Sequence, residues 1–211
     1  MDIKRIKIGS SNIYILQGNG SSVLIDSGGG GERKNKKLIR SLNKRGISPE
    51  DLKVIIITHA HKNQMGGALF FRRAYGTKII ADEKDSMTAK IKGRGIFGKI
   101  RAALAKNEKA GIISDIHATE GLRLAQFGIQ ATILSLPGHT CGSIGVLTDD
   151  GNLFCGGVME NFIFPSPSKL AQDFVLLNKS FIRLKMLPIK MVYPSNGRPF
   201  KFKRILKNKS Y

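Results

Sequence analysis

Apolar and polar positions alternate from the first residues of the chain, and the pattern predicts strands. Ile3, Ile6 and Ile8 stand among charged neighbours, residues 12–16 and 22–26 are short apolar runs, and Gly18-Asn19-Gly20 between them signals a turn. A meander closed by a hairpin is expected, so the sheet begins antiparallel. Beyond the glycines at 28–31 the period changes: Leu38, Ile39 and Leu42 mark one face of a helix over residues 32–45, with Gly46 as its stop. Ser48-Pro49-Glu50-Asp51 turns the chain into Val54-Ile55-Ile56-Ile57-Thr58, an unbroken β-branched run typical of a strand covered on both faces. A helix over 68–75 and a strand over 78–81 follow, which gives this stretch β-α-β character with a right-handed crossover. More strands are predicted at 122–124, 130–136, 143–148 and 153–154, divided by Gly128 and Asp149-Asp150-Gly151. Leu170, Phe174, Leu177, Phe181 and Leu184 recur at helical spacing and predict a final amphipathic helix ending before Pro188, with Met191-Val192-Tyr193 as a last strand.

No Pro/Ser-rich linker interrupts the 211 residues, and 41% of them are hydrophobic, so one domain over residues 1–211 is expected. Met1-Asp2-Ile3-Lys4-Arg5 breaks any secretory leader with charge, and no run of about eighteen apolar residues predicts a membrane span. Two cysteines, Cys141 and Cys155, form no CxxC pair and no disulfide framework, which suits a cytoplasmic protein. Charge changes the picture more: 35 Lys+Arg against 15 Asp+Glu leave a formal net charge of +20. That excess attracts small anionic substrates and polyanions, nucleic acid among them, and it says nothing about oligomeric state. Part of it lies in a basic insert at about 84–111, where Ile96, Ile100, Ala103 and Leu104 predict a helix lying over the core. Another part lies in the tail, where Lys201, Lys203, Arg204, Lys207 and Lys209 surround Phe200 and Phe202. The two aromatics either stack on bases or anchor the tail to the core. Zinc-finger, RNA-recognition and phosphate-loop motifs do not occur.

The candidate chemistry begins at His59 and His61, which stand one residue apart at the end of an extended run and so point to one side. Thr58-His59-Ala60-His61-Lys62-Asn63-Gln64-Met65-Gly66-Gly67 resembles the signature of the metallo-β-lactamase superfamily. Residues 23–28 (Val-Leu-Ile-Asp-Ser-Gly), 136–140 (Leu-Pro-Gly-His-Thr), 153–157 (Leu-Phe-Cys-Gly-Gly) and 193–197 (Tyr-Pro-Ser-Asn-Gly) are similar to its other landmarks in order and spacing. The resemblance covers nearly the whole chain and implies an α/β fold, the four-layer αββα sandwich of that family. It also implies a first metal site of three histidines, carried over intact onto His59, His61 and His139, with Asp26 bonding the loops beneath them.

Departures from the pattern shape the functional expectation. The family commonly builds a second metal site, but here Asn63, Gln64, Gly157 and Asn196 replace its aspartate, histidine, bridging aspartate and last histidine. Neutral amides are poor zinc ligands and glycine offers none, so one zinc ion per chain is expected. Three imidazoles with an open fourth position are a catalytic ligand set, which predicts a mononuclear zinc hydrolase of an ester, thioester or phosphoester. Asn63 or Gln64 is expected to orient the attacking water, because an amide bonds but takes no proton. Glu160 is the nearest acidic substitute for a base, and His117 lies outside any matching motif. The competing expectation is a non-catalytic scaffold whose basic surface binds nucleic acid or another polyanion.

Overall fold

The computed structural model describes residues 1–18, 20–86, 92–94, 96, 99 and 114–206. Strands β1 (Asp2–Ile8), β2 (Ser11–Gly18) and β3 (Ser21–Ile25) form the antiparallel meander, with Ile6 opposite Ile13 and Leu16 opposite Val23. Helix α1 (Glu32–Asn43) leads to β4 (Leu52–Ile56), which joins β3 in parallel. After the short α2 (Lys62–Met65), α3 (Ala68–Tyr75) returns the chain to β5 (Lys78–Ala81), parallel to β4. The two-residue β6 (Lys92–Gly93) pairs elsewhere, and β7 (Ile116–His117) closes a six-stranded sheet of order β1-β2-β3-β4-β5-β7.

A second sheet is built from β8 (Ala131–Ser135), β9 (Ile144–Thr148) and β10 (Asn152–Gly156). Two short pieces, β11 (Met159–Asn161) and β12 (Pro165–Pro167), pair as a hairpin, while β13 (Leu170–Ala171) pairs with β6. Helix α4 (Phe174–Leu184) then leads to β14 (Met191–Pro194) and β15 (Phe200–Lys201), and α5 (Lys203–Leu206) follows. The order is β15-β14-β10-β9-β8, with β10 and β14 parallel.

Because successive strand side chains point to opposite faces, each run of apolar residues serves two cores at once. From the first sheet, Ile13, Ile15, Leu24, Ile55 and Ile79 meet Leu38 and Leu42 of α1 and Phe71 of α3. Their neighbours Tyr14, Leu16, Val23, Ile25, Val54, Ile56 and Ile80 face Ala131, Ile133, Ile144, Val146 and Phe154 of the second sheet. The far side of that sheet packs Leu134, Leu153 and Val192 under Leu177, Phe181 and Leu184 of α4. The layers run helix, sheet, sheet, helix, the αββα sandwich expected. Between the sheets the Tyr14 hydroxyl donates to Pro194 O at 2.8 Å, which satisfies the one polar atom of an otherwise apolar ring.

Some local expectations fail. Residues 122–124 make only a single bridge, Arg123 to Thr132, before a 3-10 turn at Ala125–Phe127, and the Arg123 guanidinium donates to Asp149 at 2.7 and 2.8 Å. Leu170 belongs to β13 rather than to α4, which starts only where the Asp173 carboxylate accepts the N–H groups of Val175 and Leu176 and is followed by the short α5 rather than ending the helices. Phe200 and Phe202 are both buried, so they anchor the tail. Most of the basic insert, and Lys207 and Lys209, lie outside the described residues; of the four apolar positions of its predicted helix only Ile96 is described, and it is 77% exposed. Among the described residues no helix is long and apolar enough to cross a membrane.

Candidate metal centre

The strand that delivers the first ligands ends at Ile56, and the chain leaves the sheet through Thr58 and His59. His61 is still extended (φ −75°, ψ 140°) as it caps α2, so the two imidazoles remain on one side of the backbone. From the second sheet the loop between β8 and β9 brings His139 to meet them. The three rings stand nearly perpendicular to one another with centroids 4.7–4.9 Å apart, and their candidate ligand atoms lie within 4.8 Å of each other.

Hydrogen bonds decide which nitrogen two of the rings present. His139 Nδ1 lies 2.7 Å from Leu170 O, an acceptor only, so Nδ1 carries the proton and Nε2 is bare. The Thr58 hydroxyl lies 3.0 Å from both Asp26 carboxylate oxygens and 2.9 Å from His59 Nδ1. Its single proton goes to Asp26, so its oxygen accepts from His59 and leaves His59 Nε2 bare. His139 Nε2 and His61 Nδ1 face each other at 3.2 Å. Two nitrogens bound at 2.0–2.1 Å to one tetrahedral ion stand about 3.3 Å apart, so the observed spacing fits a metal between them. Burial foremost, then the charge of the neighbouring rings, pushes His59 well below the usual imidazole range and His61 down to about 3. Both stay neutral at pH 7, the form that ligates.

Asp26 has φ +60°, the only non-glycine residue among those described with a positive φ. It accepts the Thr58 N–H at 2.9 Å and the Ser195 hydroxyl at 2.8 Å, which joins the end of β3 to the end of β14 under the centre. Burial raises its carboxyl to about 6 against the opposing hydrogen bonds of Thr58 and Ser195.

Of the four positions expected to have lost a second metal site, three share Ser11 as a neighbour and the fourth, Gly157, touches His139. Asn63 and Gln64 both donate to Ser11 Oγ, at 3.1 and 3.2 Å, and Ser11 is bridged to Asn196. At Gly157 a Cβ would lie 2.1 Å from His139 Cδ2, so the ring of His139 rests on the glycine backbone and occupies the space of any side chain there. Glu160 sits on β11, Cys155 is buried in the core of the second sheet with its thiol pushed up to about 12, and His117 is exposed on the edge strand β7. None of these three belongs to the histidine cluster.

One residue that the sequence reading passed over lies directly beneath the ligands. Asp85 is buried and accepts from Ala60 N at 2.6 Å, Gly142 N at 2.5 Å and the Thr140 hydroxyl at 2.8 Å. In sequence it is one of two acids in a segment read for its basic charge, and no local spacing marks it.

Residues 6–195 match the family profile of the metallo-beta-lactamase superfamily. Over 171 residues, 80% of this chain and 75% of the relative, the protein is 29% identical to hydroxyacylglutathione hydrolase GloC of Haemophilus influenzae. It is 35% identical to exodeoxyribonuclease WalJ of Streptococcus pneumoniae over 75 residues, 36% of this chain and 26% of the relative. Among solved structures, the metallo-beta-lactamase family protein TTHA1429 of Thermus thermophilus superposes with a TM-score of 0.75 at 20% identity, covering 99% of this chain and 78% of that one. TTHA1623 in a di-iron-bound form superposes with a TM-score of 0.69 at 21% identity, covering 98% of both chains.

Proposed function

The chain belongs to the metallo-beta-lactamase superfamily, and from that premise we propose that it is a hydrolase working with one metal ion, zinc, held by His59, His61 and His139. One observation carries this reading: three imidazoles converge with their candidate ligand atoms within 4.8 Å of one another, two of them 3.2 Å apart. A zinc ion bound there supplies Lewis acidity, which polarises an acyl or phosphoryl oxygen and acidifies water. The chain holds the ligands in register through Thr58, Asp26 and Leu170. Asn63 and Gln64 orient a substrate or water group by hydrogen bonds and take no proton from it. Exposed Lys62, next to the ligand His61, and the overall cationic excess draw an anionic substrate to the mouth. Among ester, thioester and phosphoester, the likeness to hydroxyacylglutathione hydrolases over most of the chain favours a thioester.

Elemental analysis tests the reading. Protein reconstituted with excess zinc and desalted is expected to hold one zinc per chain, His61→Ala close to none, and only the loaded protein to hydrolyse a glutathione thioester or an activated phosphodiester. Two ions per chain would overturn the count, and none would overturn the hydrolase. The net charge of +20 and the partial likeness to an exodeoxyribonuclease favour a second reading, a scaffold or enzyme that binds nucleic acid.

A further inference from the structure

We propose that Asp85 is a positioning residue of the metal centre, a single carboxylate that ties together the two loops bearing all three histidines; this rests on the metal-binding reading above. Ala60, whose N–H reaches Asp85 Oδ2, is the residue between His59 and His61. Thr140 and Gly142, which donate to Oδ2 and Oδ1, lie one and three residues after His139. One buried acceptor therefore bonds both ligand segments, which are 78 residues apart at the closest ligand pair. Thr58 and Leu170 O, by contrast, each support one ligand, His59 and His139 respectively.

The neighbourhood is shaped for this contact. Asp85 enters on a 3-10 turn directly after β5, and its own N–H is held by Asp82 O at 3.2 Å. Gly142 has no room for a side chain, since a Cβ would fall 2.7–2.9 Å from the Asp85 backbone nitrogen, Oδ1 and Cγ. Thr140 is fixed in turn by Ser143, whose Oγ accepts its N–H at 2.9 Å. An anion accepting three N–H or O–H bonds makes stronger bonds than a neutral acceptor would, and the charge of Asp85 is what the three donors share. The carboxylate thus sets how far the His59/His61 loop stands from the His139 loop, the distance on which a tetrahedral ion depends.

Asp85→Asn and Asp85→Ala, checked for folding by circular dichroism, are titrated with Zn2+ against a chelator and with Co2+, whose visible spectrum reports ligand geometry. Zinc affinity is expected to fall about 10- to 100-fold, as for other residues that orient metal ligands, with a changed Co2+ spectrum. Asp115→Asn, which breaks a hydrogen bond to Ile79 N and an ion pair to Arg72 away from the centre, is expected to lower the thermal midpoint while leaving affinity and spectrum as in the wild type. If both Asp85 variants unfold, Thr140→Val removes one strut and Gly142→Ala pushes Asp85 away by the clash of its Cβ, and each is expected to weaken zinc several-fold. Folded variants with wild-type affinity and spectrum would overturn the role of Asp85. Wild-type protein that binds neither ion would instead overturn the metal centre itself.

Discussion

His59 and His61 are bases that the fold keeps from protonating, and this makes the metal-free protein sensitive to acid. Below about pH 6.5 the unfolded chain takes up protons on these imidazoles, while folded His61 does so only near 3 and His59 well below its usual range. A pKa depressed on folding contributes stability that is present above the unfolded value and lost as pH falls, here at up to ~1.4 kcal/mol per pH unit for each ring. Asp26 works the other way, since its carboxyl is raised to about 6 from 3.8. The stability it contributes is full below about 4 and is lost as pH rises through 6, so it offsets the loss from only one of the two rings. The thermal midpoint of chelator-treated protein is therefore expected to fall from pH 7 to pH 5, with a shallower fall in His61→Ala. Coincident slopes for the two proteins would show that His61 titrates like a free imidazole. The three histidines that converge were legible in sequence because the Thr-His-x-His run and the Pro-Gly-His-Thr segment are local. The nitrogen that His139 and His59 present was not, since it is set by contacts to Leu170 O and Thr58 Oγ1.

At the scale of elements, α4 does more than cover the second sheet. Its capping residue Asp173 accepts from Val175 N at 2.7 Å and Leu176 N at 3.0 Å, and the N–H groups of Gln172 and Asp173 bond Gly138 O at 2.9 and 3.0 Å. Further along, the Ser180 hydroxyl donates to Pro137 O at 2.7 Å, so the loop that carries His139 hangs on this helix. Asp173→Ala is expected to lower unfolding free energy by about 1 kcal/mol in urea titrations, the usual cost of losing such a cap. A loss below a few tenths would mean the helix start is held by packing alone. The apolar stripe of this helix was readable from its period, yet its first member, Leu170, became a strand residue. Helical spacing cannot see that Asp173 stops the helix from extending backwards, nor that β6 offers Leu170 a pairing partner.

For the whole molecule, the excess of basic side chains is far larger than the described ion pairs consume. Those pairs are Lys4–Asp2, Lys36–Glu32, Arg72–Asp115, Arg123–Asp149 and Arg183–Glu120, all at least partly exposed and worth little in stability. If the excess serves polyanions, a DNA probe is expected to bind at about 50 mM salt and to release steeply toward about 200 mM, as counterion release requires. No shift with duplex or single-stranded probes at low salt would remove that role. Most strand runs, the faces of α1 and α4 and the signature around His59 and His61 were written into the chain, because period and motif are properties of neighbouring residues. The four-layer order was legible only as what the family resemblance implied, and in the structure Ile13 and Tyr14, like Ile55 and Ile56, face opposite cores. Only the tertiary structure placed His139 Nε2 3.2 Å from His61, laid the His139 ring on Gly157 and brought Asp85 beneath both loops. Those contacts join residues 18 to 78 positions apart, and their distances depend on how two sheets close on each other, which no local pattern encodes.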